Sequence, residues 1–205
     1  MSWNLSARHF LKNGKNNILK LCKHEPAQSL FSAKIINMVF LEAHNIISSL
    51  GFTSRENFEK IQAGKTGISQ STPELSPEIS AVSLVNSDKI NACFGRLSNK
   101  AADYTRYEKL LICSISDALR SSRIKLQSPE TLLIISSTKG NINLREKTYA
   151  ERYKEERIHL WKSTETVSEF FNHPGRPLTV SNACVSGSLA LIIAQRLISG
   201  GKYKH

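Results

Sequence analysis

Residues 178–201 read LTVSNACVSGSLALIIAQRLISGG, and this stretch decides the fold. Its first five residues are rich in β-formers and predict a strand. Cys184 follows at the turn, and a mainly apolar run then predicts a helix over residues 185–199, which ends at Gly200 and Gly201. Because this helix is apolar nearly all round, the pattern predicts that it is buried on several sides, as between two sheets.

Cys184 is the candidate catalytic residue. At the start of a helix, free amide N–H groups and the positive end of the helix dipole face the thiol and favour the thiolate, which suits a nucleophile. The same amides can hold the oxyanion that forms when a thioester carbonyl is attacked. The plainer interpretation is that Cys184 is a buried structural thiol, a common role for free cysteines. Ser186 and Ser188 lack the Gly-x-Ser-x-Gly frame of a hydrolase elbow.

The segments before residue 178 alternate between predicted helices and strands. Capping boxes at residues 53–56 and 105–108 predict two helix starts. The run TLLIIS at residues 131–136 predicts a buried strand, and residues 142–172 predict an amphipathic helix. This order predicts an α/β protein with a mostly parallel sheet.

Two further segments complete the prediction. The run MVFLEAHNII, which begins at Met38, predicts a first strand, and the Ser- and Pro-rich residues 69–85 predict a loop with little regular structure. Helical spacing predicts which side chains are buried in the three helices before residue 178. They are Phe58 and Ile61 in the first, Tyr107, Leu110, Leu111, Ile115, Ala118 and Leu119 in the second, and Trp161, Val167, Phe170 and Phe171 in the third.

Composition excludes several classes of protein. The 205 residues are 40% hydrophobic and 22% charged, which is ordinary for a globular protein. No apolar run approaches the roughly 18 residues of a membrane span, and no secretory signal pattern is present, so we expect a cytoplasmic protein without a membrane partner. Cys22, Cys93, Cys113 and Cys184 form no CxxC pair, and with His24 as the only neighbouring ligand of Cys22 we expect no metal site and no cofactor.

The net charge of +11 is unevenly distributed, because residues 1–37 alone carry six basic residues against one acidic residue. This start could be an organellar targeting segment, a nucleic-acid-binding arm, or an extension outside the fold. We favour the third interpretation, with the fold over residues 38–205. Charges of alternating sign in residues 145–162 are typical of a solvated helix face, so we expect no nucleic-acid partner.

Residues 181–201, SNACVSGSLALIIAQRLISGG, resemble the nucleophile segment of the β-ketoacyl synthases, the condensing enzymes of fatty-acid and polyketide biosynthesis. The resemblance continues backward in the family's order through residues 131–141, 105–124 and 43–69. It implies the N-terminal half of a duplicated, layered αβαβα thiolase-like fold. Residues 1–37 have no counterpart in the family.

The sequence also departs from the family pattern. Ala43 and Asn45 replace glycines that are usual there, and Ser49 and Phe58 replace a common Pro and Trp. The family's second half brings two catalytic histidines, whereas His205 is the only histidine after Cys184 and lacks the family context. We therefore expect residues 38–205 to be a truncated synthase domain.

The resemblance implies an acyltransferase of the 3-oxoacyl synthase type. Cys184 would accept an acyl group from an acyl carrier protein or coenzyme A thioester before a decarboxylative condensation. A homodimer or a partner subunit is implied as well. The alternative is a catalytically incomplete half-synthase, which acts as a non-enzymatic fragment or is completed by another chain.

Overall fold

The structure is a computed structural model that describes residues 38–70, 81–146 and 152–205. Within these residues the chain forms α-helices, short 3-10 turns and two small sheets. The helices are α1 (Ser54–Gln62), α2 (Ser87–Gly95), α3 (Arg106–Arg120), α4 (Leu160–Phe170) and α5 (Ser186–Ser199). The strands are β1 (Ser69–Gln70), β2 (Ala81–Val82), β3 (Ile134–Ser136) and β4 (Leu178–Val180).

The sheet that positions the candidate site consists of β3 and β4, which pair in parallel with Ile135 opposite Thr179. Parallel neighbours need a crossover connection, and α4 lies in the chain between them. The last residues of the chain extend this pairing, because the amide of Leu132 donates to the carbonyl oxygen of His205 at 2.8 Å. The amide of Lys204 donates to the carbonyl oxygen of Glu130, also at 2.8 Å.

Helices lie on both faces of this sheet. Ile135 is buried in the core with α3 and α4, while its neighbours Ile134 and Ser136 line a groove against α5. This alternation follows from the two-residue period of a strand. The core unites side chains from α2, α3, α4, β3 and the loop before β3, namely Phe94, Ile112, Cys113, Leu126, Leu133, Ile135, Val167 and Phe171.

Local capping fixes the starts of α1 and α3, as the sequence predicts. At α3, the Thr105 hydroxyl accepts from the amide of Glu108 at 3.2 Å, and the Glu108 carboxylate accepts from the amide of Thr105 at 2.9 Å. At α1, Thr53 accepts from the amide of Glu56 at 3.1 Å, but the Glu56 carboxylate reaches back one residue further, to the amide of Phe52 at 2.7 Å. The helix signal in both motifs is confirmed.

A buried polar network joins α3 to α4 and the turn before it. The fully buried Glu108 carboxylate pairs with the Arg157 guanidinium and accepts from the Asn141 amide at 3.0 Å. Asn141 also accepts from the Thr105 hydroxyl at 2.7 Å and donates to the Ser163 hydroxyl at 2.9 Å. Buried charge is tolerated when it is paired and hydrogen-bonded, so this network locks the α3–α4 packing.

The fold is a mixture of helices and small sheets, but two parts of the fold-class prediction are wrong. The sheet is not mostly parallel, because β1 and β2 form a separate antiparallel pair. The helix after Cys184 is not buried on several sides, because Ser186 is the only buried residue of α5 and Leu191 is 69% exposed. Within the described residues, nothing covers the outer face of α5.

Other local predictions also fail. Residues 38–47 form no strand, and Phe40 and Leu41 are more than three-quarters exposed. Residues 69–85 contain the β1–β2 pair, while residues 71–80 lie outside the described part of the chain. Helix α2 was not predicted at all.

The predicted helix over residues 142–172 is also wrong in extent. It is reduced to two 3-10 turns, Ile142–Arg145 and Glu155–Ile158, followed by α4, and residues 147–151 lie outside the described residues.

Predicted burial is confirmed for Val167 and Phe171 and is wrong for several other side chains. Phe58, Ile61 and Trp161 are about half to two-thirds exposed. In α3 the fully buried residues are Glu108, Lys109, Ile112 and Cys113, whereas the predicted Leu111, Ile115 and Leu119 are partly buried and pack against the core. The basic extension over residues 1–37, with Cys22 and His24, lies outside the described residues. No helix in the described part of the chain combines the length and apolar character that a membrane span requires.

Candidate active site

Cys184 lies in the turn between β4, which ends at Val180, and α5, which begins at Ser186. Its side chain is exposed, so the interpretation of Cys184 as a buried structural thiol is wrong. The strand–turn–helix arrangement predicted from the sequence is confirmed at this place. The turn therefore presents the thiol to solvent close to the beginning of a helix.

The hydroxyl of Ser186 holds this turn together. It accepts from the backbone amide of Asn182 at 2.8 Å and donates to the carbonyl oxygen of Ala183 at 2.8 Å. The amide of Val185 donates to the carbonyl oxygen of Asn182 at 3.0 Å. Because Ser186 is buried and its hydroxyl is engaged in both directions, it serves the geometry of the turn and is not an available nucleophile.

Ala183, the residue before the cysteine, has a φ of +42°. A residue with a Cβ pays roughly 1–2 kcal/mol in the left-handed region, so such a residue persists where its surroundings determine the conformation. Here the Ser186 hydroxyl bonds the amide of Asn182 and the carbonyl oxygen of Ala183, and these two bonds hold Ala183 in this conformation. The strained residue sets the direction in which the chain enters Cys184.

The start of α5 is open toward the turn. The N-cap residue Val185 makes no side-chain capping bond, and the first backbone bond of the helix runs from the amide of Leu189 to the carbonyl oxygen of Val185 at 2.9 Å. Gly187 has no atom within 4 Å of the position of an added Cβ. Uncapped amides and an unobstructed first turn can hold an anionic group beside the helix start.

An apolar groove of about 530 Å³ runs between α5 and β3. It begins at Gly187 in the first turn of α5 and continues past Ala190 and Ala194. Tyr203 and His205 close one side. Its volume falls in the range of small-molecule sites, about 300–1,000 Å³.

The four described histidines make contacts elsewhere. His44 contacts the Ser54 hydroxyl at 2.9 Å, and His159 stacks on Trp161 with ring centroids 6.0 Å apart. The buried His173 contacts the carbonyl oxygens of Gly175 and Thr131, each at 3.0 Å, and His205 lines the groove. None of these contacts joins a histidine to Cys184, so the described part of the chain has no Cys–His pair at the turn.

The other described cysteines differ from Cys184 in their surroundings. Cys113 is buried in the core, which confirms its predicted packing role, and Cys93 is half-buried beside it. Burial, reinforced by a hydrogen bond with Cys93, raises the pKa of the Cys113 thiol to about 12. A protonated, buried thiol is a poor nucleophile, so Cys184 is the exposed candidate among the three described cysteines.

Two features of this region were not found from the sequence. Ser186 was considered there only as a hydrolase nucleophile, although a hydroxyl at the first helical position is a signal for a bond back into the turn. The buried partnership of Glu108 with Arg157 spans 49 residues, and no local pattern carries that information. Ser186 holds the turn at Cys184, and the Glu108–Arg157 pair holds α3 against the turn before α4.

Comparison with known proteins supplies no relative from which to transfer a function: no family model matches the chain, and no curated protein matches it. The geometry around Cys184 and the resemblance in residues 181–201 therefore remain as the grounds for a function.

Proposed function

We propose that the chain is an acyltransferase of the β-ketoacyl synthase type, in which Cys184 accepts an acyl group from a carrier-protein or coenzyme A thioester. One observation carries the proposal: Cys184 is exposed on a turn that is held by Ser186 and leads into an uncapped helix. A mixed helix-and-sheet fold with a parallel β3–β4 pair is compatible with it.

The proposed step forms one bond and breaks one bond. The Cys184 thiolate attacks the thioester carbonyl carbon, and the resulting oxyanion is held by free amides at the start of α5. The tetrahedral intermediate collapses to a new thioester on Cys184, and the carrier leaves as a thiolate that takes up a proton. No oxidant or reductant is needed.

The apolar groove beside α5 suits the acyl chain. It starts at Gly187, three residues after the nucleophile, and its alanine and leucine side chains offer an apolar wall. An acyl chain in the groove would lose water contact along its length, which contributes about 0.8 kcal/mol for each buried methylene. The proposal therefore includes this groove as the acyl-binding surface.

An acidic acyl carrier protein is the partner that the charge favours. Residues 38–205 hold 22 basic and 16 acidic residues, a net charge of +6. Opposite net charge speeds the encounter of two proteins, although it does not choose the partner by itself.

A second candidate function is a subunit that another chain completes. It is favoured by the outer face of α5, where Val185, Leu191 and Ile192 are 46–69% exposed. Contiguous apolar patches are typical of protein–protein contacts. In this form Cys184 would still be acylated, and condensation would require groups from the second chain.

The test is the intact mass of the chain after incubation with octanoyl-coenzyme A. We expect one octanoyl adduct in the wild type and in Cys93→Ala, and none in Cys184→Ala. An adduct that persists in Cys184→Ala, or its absence from the wild type, would contradict the acyltransferase proposal. Size-exclusion chromatography with light scattering addresses the second candidate through the molar mass of the chain. A chain that stays monomeric at all concentrations would count against that candidate.

A further inference from the structure

A second cavity, of about 190 Å³, lies away from Cys184, between α2, α3 and the residues Asn143, Leu144, Arg152 and Tyr153. Its lining includes three cationic side chains, Arg106, Lys109 and Arg152, and no acidic residue among the described residues that form its wall. Neutral hydrogen-bonding groups complete it, including those of Ser87 and Asn91. The described part of the wall thus carries three positive charges and no negative charge, which suits an anion.

The three cations find only neutral partners within the described residues. Arg106 donates to the Ser87 hydroxyl at 2.6 Å and to the carbonyl oxygen of Val85. Lys109 donates to the side-chain oxygen of Asn91 at 3.0 Å. The Arg152 guanidinium lies 5.6 Å from the centre of the Tyr153 ring. None of the three forms an ion pair in the described part of the chain.

Within the described residues, the acids close in sequence to Arg106 and Lys109 do not form part of the cavity wall. Glu108, the neighbour of Lys109, pairs with Arg157 and accepts from the Asn141 side-chain amide. Asp88 and Asp103 do not line the cavity. The positive charge in the cavity is therefore not neutralised by these acids.

Lys109 makes the uncompensated charge costly. Lys109 is only 8% exposed. Burial, together with the nearby Arg152 charge, lowers the pKa of its ammonium group. A buried ammonium group without an anionic partner is unfavourable. A bound anion would remove this penalty and the repulsion between Lys109 and Arg152.

The backbone reinforces the same polarity. Ser87 is the first residue of α2, and Thr105 is the N-cap of α3, so the positive ends of two helices border the cavity. The volume lies below the roughly 300 Å³ at which pockets for drug-sized ligands begin, so it fits a small oxyanion better than a whole nucleotide. Arg is well suited to bind phosphate oxygens in pairs, and Lys as a point charge.

We propose that the cavity formed by Arg106, Lys109 and Arg152 is a binding site for a phosphate group, either free or as a small phosphate monoester. The site is separate from the Cys184 turn, and its existence does not depend on the acyltransferase proposal.

The experiment measures binding of inorganic phosphate to the full chain by isothermal titration calorimetry at fixed ionic strength, with sodium chloride as the balancing salt. We expect one site, with affinity lowered about tenfold by Arg152→Gln, the loss of one charge-assisted contact. Lys109→Met should lower it at least as much. Arg176→Gln removes an exposed arginine outside the cavity and should leave the affinity unchanged.

Glycerol 3-phosphate distinguishes the two sources of the phosphate group. Tighter binding of glycerol 3-phosphate than of inorganic phosphate supports a monoester, and the reverse supports free phosphate. Because Lys109→Met is a buried substitution, Arg152→Gln at the exposed rim keeps the test valid if the former does not fold. Absence of binding, or an equal affinity in Arg152→Gln, Arg176→Gln and the wild type, would overturn the proposal.

Discussion

The hydroxyl oxygen of Ser186 lies 2.8 Å from the backbone amide nitrogen of Asn182 and accepts its hydrogen bond. The two residues flank Cys184, so this bond ties the end of the strand segment to the start of α5 across the turn that carries the thiol. The bond closes a turn of only five residues, from Asn182 to Ser186, which explains how Ala183 is held at a positive φ.

Ser186→Ala should loosen this turn. Because one accepted and one donated bond are lost, we expect the free energy of unfolding to fall by about 1–2 kcal/mol. Acylation of Cys184 should slow at the same time. Urea unfolding and the rate of adduct formation measure the two effects. Ser188→Ala, an exposed hydroxyl in the same helical turn, is the control, and equal behaviour of the two variants would contradict the role of Ser186.

Glu108→Gln should be among the most destabilising polar substitutions in the chain. It leaves the Arg157 guanidinium, whose side chain is 17% exposed, without its charged partner. Breaking a buried ion pair costs about 3–5 kcal/mol. Glu59→Gln removes a partner of the exposed Arg55–Glu59 pair and should change stability by less than about 1 kcal/mol. Similar losses in both variants, measured by urea unfolding, would show that the network does not lock the helices.

Gly140→Ala tests the loop between β3 and α4. Gly140 has a φ of +51°, and an added Cβ would lie 2.5 Å from Cδ2 of Leu160. Gly64 has a similar φ of +68° but open space around it, so it isolates the backbone contribution. We expect Gly64→Ala to cost about 1 kcal/mol and Gly140→Ala clearly more, because crowding adds to strain. Thermal unfolding compares them, and an equal loss would contradict the packing of Leu160 on this loop.

Cys113 makes stability depend on pH in the alkaline range. Its pKa rises from an ordinary 9 to about 12 in the folded chain, so the folded state keeps the thiol protonated. The stabilisation is complete below pH 9 and is lost as the pH rises from 9 toward 12, by at most about 1.4 kcal/mol for each pH unit.

Cys113→Ala should therefore lose less stability than the wild type between pH 8 and 10.5. Urea unfolding at several pH values measures the difference, and the wild-type curve also contains the raised pKa values of Tyr104, Tyr107 and Tyr153. Parallel curves for Cys113→Ala and the wild type would contradict the assigned shift.

Local chemistry made part of the fold predictable. The two capping boxes predict the starts of α1 and α3, because a hydroxyl and a carboxylate three residues apart satisfy helix-start amides without any distant partner. The same holds for β4, the turn at Cys184 and α5, where a β-rich run, small residues and a terminal Gly pair follow one another. These signals act within a few residues, so the sequence carries them.

The predictions that failed concern features that depend on residues distant in sequence. The run that begins at Met38 has strand composition, yet a strand needs a neighbour, and none pairs with residues 38–47 in the described part of the chain. Helix α2 shows only Ile90 and Phe94 as buried residues, too few for a periodic pattern. The composition of α5 predicts an apolar surface, but it does not indicate which element would cover Leu191.

The selectivity of acylation at Cys184 tests the central claim most directly. Peptide mapping by mass spectrometry gives the rates at which octanoyl-coenzyme A acylates Cys184 and Cys93, in the native chain and in urea. We predict that folding raises the Cys184 rate at least about tenfold over its rate in urea, because the oxyanion is stabilised only at an intact helix start. Folding should also lower the rate at which Cys93 is acylated. A native Cys184 rate equal to or below the rate in urea would contradict the account.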